Sequence, residues 1–145
     1  MAEIYVPENV EFLTKWNGFE LPKGILNKGV TGCGATSVAI EDEHKTIICS
    51  PRINLIKNKV SQHKGLLGVY GDVKNDEIMA YLEKAETPKI MVTYDSMPRL
   101  AKLIDDKSDW RVVVDEYHYL LIDSGFRSDK AIALLDVVNE FDYVT

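Results

Sequence analysis

Cysteine is nearly absent: Cys33 and Cys49 are the only two in 145 residues. Their separation matches no metal-ligand spacing, and a reduced, cytoplasmic setting is the expectation. Long apolar runs are missing as well. None approaches the ~20 residues a membrane-spanning helix needs, so no membrane partner is expected. The opening residues Met1 to Tyr5 carry no basic stretch followed by an apolar one, and no secretory signal is expected. Positive charge is in deficit, with 17 Lys and Arg against 23 Asp and Glu and a net charge of −6. That balance excludes coating a polyanion or a membrane by bulk charge, while leaving room for a local basic strip. The histidines His44, His63 and His118 do not cluster by spacing, which argues against a zinc site. No Ser/His/Asp arrangement, internal repeat or low-complexity segment is legible.

What is present is an ordinary globular composition, 46% hydrophobic and 28% charged, at a length that supports one domain with a full core. Its densest signal is the octet Arg111-Val112-Val113-Val114-Asp115-Glu116-Tyr117-His118. The valines read as a strand buried on both faces, as parallel sheets require. The strand delivers adjacent carboxylates to the sheet edge where open α/β proteins place ligands. One carboxylate there can hold Mg²⁺ and the next can orient or deprotonate a water. A plain core strand capped by solvated acids explains the same residues.

Taken in order, residues 1–23 are irregular, with a short helix predicted over 10–16 and aromatics at Trp16 and Phe19 suited to packing. Residues 24–30 read as a first strand. Short apolar runs at 46–49, 66–70, 89–93 and 111–114 predict further strands, and 141–145 begins another. Between them lie helical patterns: 53–63, with Ile53, Ile56 and Val60 in phase; 75–85, with Asn75 as N-cap; 94–105, opened by Pro98 in its first turn; and 128–139. Strands alternating with helices predict a three-layer α/β domain with a mainly parallel central sheet flanked by helices.

The stretch Gly29-Val30-Thr31-Gly32-Cys33-Gly34-Ala35-Thr36-Ser37 lies between a predicted strand and a helix. Glycines permit a tight turn and close backbone approach, and a helix starting near Thr36 would aim free N–H groups at an anion. The spacing fits Gly-x-x-x-x-Gly-Lys-Thr with one substitution, Ala35 in place of the lysine. A glycine-rich turn without a ligand is the competing reading. A parallel sheet brings this loop and the acidic pair to the same edge.

With both motifs placed, the chain resembles the first RecA-like domain of superfamily 2 helicases, the DEAD-like or DExH-box group. Asp115-Glu116-Tyr117-His118 matches the DExH box, and 29–36 resembles motif I, a Walker A loop short of its lysine. Ser50-Pro51-Arg52 with Leu55 resembles motif Ia, and Val92 to Met97 resembles motif Ib. Tyr143-Val144-Thr145 resembles the strand leading into motif III. The likeness spans 24–145, with 1–23 as an N-terminal extension packing on the domain.

The resemblance implies a nucleic-acid-dependent ATPase with ATP and Mg²⁺ as ligands. Residues Gly29 to Ser37 would wrap the phosphates, Thr36 and Asp115 would hold Mg²⁺, and Glu116 would polarise the attacking water. His118 would couple nucleotide state to the rest of the protein. Arg52 and Thr93 would touch the backbone of one nucleic-acid strand, with DNA the expected polymer rather than RNA, and contacts of that kind position without reading sequence. Basic residues Arg52, Lys57, Lys59, Lys64, Arg99 and Lys102 follow motifs Ia and Ib, as a nucleic-acid track would need. The only glutamine is Gln62, so the adenine-reading glutamine of the DEAD-box subgroup is missing.

The family acts through two RecA-like domains, and this chain is expected to be a fragment of a longer protein that carries the second. Ala35 removes a cation from the phosphates, a loss of several kcal/mol unless another replaces it; Lys28 and Lys45 are the nearest candidates. Three functions follow: a helicase-like ATPase core, a hydrolysis-deficient module that binds nucleotide or nucleic acid for assembly or regulation, and a nucleotide-independent structural domain.

Overall fold

The computed structural model describes residues 35–71, 73–115 and 128–145. Among the described residues, ten α-helices and strands follow one another: α1 (Ala35–Glu41), β1 (Lys45–Ser50), α2 (Ile53–Gln62), β2 (Leu66–Val69), α3 (Asn75–Lys84), β3 (Lys89–Thr93), α4 (Met97–Ala101), β4 (Trp110–Val114), α5 (Ser128–Val138) and β5 (Tyr143–Val144). The strands form a five-stranded sheet in the order β2-β3-β1-β4-β5, every pairing parallel. The expected three-layer α/β architecture is what the chain adopts. The predicted helix over 10–16 and strand over 24–30 lie outside the described residues.

Side-chain alternation along each strand divides the core into two layers. Ile47 and Cys49 of β1, Ile90 and Val92 of β3, and Val112 of β4 are buried on one face, against Ile78 of α3, Met97 and Leu100 of α4, and Leu134 and Val138 of α5. Ile48 and Met91 point the other way, onto Val38, Ala39 and Ile40 of α1 and Ile56 of α2, with Val113 partly buried beside them. The sequence runs are continuous rather than alternating because both faces are covered.

Helix placement follows from the handedness of crossovers. The β1–α2–β2 unit moves one way across the sheet, and the units through α3, α4 and α5 move the other way. Right-handed connections then put α2 on one face and the other three on the opposite face, as observed.

Local chemistry corrects two predicted boundaries. The helix expected over 94–105 is a 3₁₀ turn, Tyr94–Ser96, continued by the short α4. Its end closes early, with the Leu103 and Ile104 N–H groups donating to the Leu100 and Ala101 carbonyls at 2.9 and 3.2 Å. Asn75 is the first helical residue of α3 and Lys74 holds the cap position; Asp76 and Glu77 in the first turn and Lys84 in the last suit the helix dipole.

Candidate functional site

The crevice of this sheet is fixed by topology. The chain leaves β1 toward the α2 face, while it leaves the neighbouring strands β3 and β4 toward the other. Open α/β sheets bind ligands where adjacent connections part in this way, outside the carboxyl ends of the strands. Here those ends carry Thr93 on β3, Ser50 on β1 and Asp115 just beyond β4.

Register aligns them. Ser50 pairs with Thr93, and Cys49 pairs with Val114, so Asp115 comes next to Ser50 on the other side. The Asp115 N–H donates to the Cys49 carbonyl at 2.9 Å, extending the ladder by one bond past the assigned strand. By the two-residue alternation, Thr93, Ser50 and Asp115 all belong to the face that α1 and α2 cover. They form a row across the carboxyl edge. Asp115 is 9% exposed, Ser50 is fully buried and Thr93 is half-buried.

Backbone hydrogen bonds fix the row. Arg52, exposed at the cap of α2, donates its N–H to Ser50 Oγ at 3.3 Å. Tyr94, buried in the opposite core layer, donates its hydroxyl to the Asp115 carbonyl. This bond passes from β3 to β4 across the end of β1 and joins residues 21 apart in sequence. Sequence reasoning named Tyr94 only as part of a motif and gave Ser50 no separate role. The Tyr94 contact is long-range, and composition carries no signal for it.

Of the predicted site residues, Asp115, Thr93 and Arg52 come together at this edge. Ala35, Thr36 and Ser37 form the first turn of α1. Gly29, Val30, Thr31, Gly32, Cys33, Gly34, Glu116 and His118 lie outside the described residues, as does Lys28. Lys45, a candidate for the missing cation, begins β1 at the amino edge and pairs with Asp109 at 2.9 Å. Six residues of extended chain separate it from the carboxyl edge, roughly 15–20 Å. It cannot substitute for a lysine at position 35.

The basic strip is also dispersed. Arg99 is committed to the fold: its guanidinium donates to the carbonyls of Val73 at 2.6 Å and Tyr70 at 3.2 Å and to Asn75 Oδ1 at 3.3 Å, tying α4 to the turn after β2. Lys57 lies 5.6 Å from the centre of the Tyr70 ring. Lys64 follows α2, a 10-residue helix running back toward the amino edge, and so falls about 15 Å from Arg52. Arg52 remains the predicted cation stationed at the row itself.

No protein-family model matches the chain, and no curated protein matches it.

Elsewhere the polar groups are structural. Lys89 begins β3, is buried, and donates to the Ala39 carbonyl at 2.9 Å, to Thr46 Oγ1 at 3.1 Å and to the Asp42 carboxylate. Burial lowers its pKa, and the hydrogen bond and charge of Asp42 work against that shift. Burial pushes the Cys49 thiol up to about 12. A shallow cleft of about 430 Å³ lined by Gly65, Tyr81 and Lys84 opens beside β2 and α3 at the amino edge, away from the crevice. Among the described residues, no helix is long and apolar enough to cross a membrane.

Mg²⁺ keeps several waters and takes one or two carboxylates together with substrate phosphates. Asp115 supplies one carboxylate at the crevice, and no group of three or more His, Cys, Asp or Glu gathers among the described residues. A lone carboxylate is one of the protein ligands that a phosphate-bound Mg²⁺ would take.

Proposed function

We propose that this chain is the nucleotide-binding core domain of a helicase-like, nucleic-acid-dependent ATPase, acting in the cytoplasm. The observation that carries the reading is the position of Asp115: at the carboxyl end of a central parallel strand, in the topological crevice, beside Ser50 and in one row with Thr93.

In this reading Gly29 to Ser37 offer backbone N–H groups to the phosphates. Thr36 and Asp115 hold the cation, whose charge would neutralise the β- and γ-phosphates. Glu116 orients the attacking water, and His118 relays the state of the site. Arg52 and Thr93 contact the backbone of a nucleic-acid strand, DNA rather than RNA, and a second RecA-like domain in a longer chain completes the site.

Ala35 favours a second reading, a hydrolysis-deficient module that keeps the fold and binds nucleotide or nucleic acid for assembly or regulation. Calorimetric titration of MgATP into the chain and into Ala35→Lys separates the two. Binding by both supports the ATPase, whose hydrolysis the second domain would complete. Binding only after the substitution supports the module. Heat from neither removes both readings.

A further inference from the structure

Helix α2 and its flanks are basic throughout. Residues 51–65 hold Arg52, Lys57, Lys59 and Lys64 and no Asp or Glu, in a chain whose net charge is −6. Arg52 stands at the carboxyl edge. Lys57 and Lys64, both exposed, fall instead at the two ends of β2. Lys64 comes just before the strand, and Lys57 lies over the ring of Tyr70, which directly follows it. From Leu66 to Tyr70 the extended chain covers roughly 13 Å.

The strand between these cations is the last of the sheet. Among the described residues β2 pairs with β3 alone, so one row of its backbone N–H and C=O groups faces outward. Such an edge is a template for a further strand. On the face toward α2, Gly68 brings no side chain, and Val60 borders the gap while remaining 37% exposed. The edge therefore offers a cation, an apolar notch and a second cation in line.

We propose that the outer edge of β2 takes an extended acidic segment of a partner protein as an added strand. Residues i, i+2 and i+4 of an extended segment share a face. Carboxylates at the first and last would meet Lys57 and Lys64, and an apolar residue between them would rest on Val60 over Gly68. Main-chain hydrogen bonds supply affinity in this mode, and the alternate side chains supply specificity. A second copy of this chain fits poorly, because antiparallel pairing of two β2 edges sets α2 against α2 and cation against cation. Single-stranded nucleic acid would meet the lysines and leave the β2 backbone groups without partners.

The test follows the fluorescence anisotropy of a labelled peptide, Ser-Glu-Thr-Val-Thr-Glu-Ser, titrated with the full chain. Binding should saturate, and the double variant Lys57→Glu/Lys64→Glu should weaken it at least about tenfold. The peptide with Lys in place of both Glu should bind that variant better than wild type, a rescue that a misfolded protein would not give. N-methylation of alternate peptide residues removes the N–H groups of one edge of the added strand at a time. One of the two N-methylated forms should lose binding and the other should keep it. Equal effects of the two, or affinity indifferent to Lys57 and Lys64, overturn the proposal. Absence of saturable binding overturns it too, and leaves the lysines as guards of an exposed edge. If a single-stranded oligonucleotide binds instead, and loses affinity in the double variant, the lysines belong to a polyanion track and the proposal falls.

Discussion

At the scale of single residues, the buried polar groups make the sharpest commitments. Cys49 is fully buried, and its thiol is held at about 12 against an ordinary value of 9.0. The unfolded chain gives up this proton first, so stability is intact below pH 9 and is lost as pH rises toward 12. At pH 10 the loss is about 1.4 kcal/mol. Lys89 contributes with the opposite sign, its pKa being lowered, and Tyr81 with the same sign as Cys49, its pKa being raised by burial. Comparing the wild type with Cys49→Ala at each pH cancels both. The stability gap between them, from denaturant unfolding, should shrink by about 1.4 kcal/mol between pH 7 and pH 10; a gap constant with pH contradicts the assignment. Lys89→Met leaves the Asp42 carboxylate without the ammonium that faces it, and should cost about 2–4 kcal/mol of unfolding free energy. The residue scale is also where the sequence misleads. Arg99 reads as a free cation because charge is visible in a sequence and three carbonyl or amide partners are not.

At the scale of elements, α2 and β2 are fitted through Gly68. A Cβ there would meet Ile56 Cγ2 at 3.0 Å and Val60 Cγ2 at 3.1 Å, whereas one at Gly71 would meet nothing within 4 Å. Gly68→Ala must push α2 outward and should cost about 1–3 kcal/mol. Gly71→Ala should stay within about 0.5 kcal/mol of wild type; equal effects at the two positions would show that α2 does not bear on β2. Arg52 belongs to this scale because the start of α2 places it. Arg52→Ala should weaken single-stranded oligonucleotide binding and flatten the salt dependence of log K by about 0.7, measured by fluorescence anisotropy. An unchanged slope removes Arg52 from the interface. The elements themselves were legible because the strands are short apolar runs, β-branched most clearly in Thr46 to Ile48 and Val112 to Val114. Helix α4 was over-read because Leu100, Leu103 and Ile104 keep helical spacing after the backbone has closed into a tighter turn.

At the scale of the molecule, the parallel α/β architecture followed from alternation, and the strand order did not. Nothing local in β1 says that it sits between β3 and β4; that order arises from which hydrophobic faces find each other. Asp115 was legible as a residue of the carboxyl edge because it ends a strand, which in a parallel sheet fixes the edge it reaches. The row it forms with Ser50 and Thr93 was not, since register is a property of pairs. The distinction also decides Lys45, close to the glycine stretch in sequence and at the far edge of the sheet in space. The central claim is that Asp115 forms half of a Mg²⁺-nucleotide site whose other half lost its lysine at Ala35. Its most direct test is the Mg²⁺ dependence of ATP affinity in Ala35→Lys, with and without Asp115→Asn, followed by calorimetry. The account predicts that Ala35→Lys binds ATP at least about tenfold more tightly with Mg²⁺ than without, and that Asp115→Asn abolishes this gain. Affinity that ignores Mg²⁺, or a Mg²⁺ gain that survives Asp115→Asn, would contradict it.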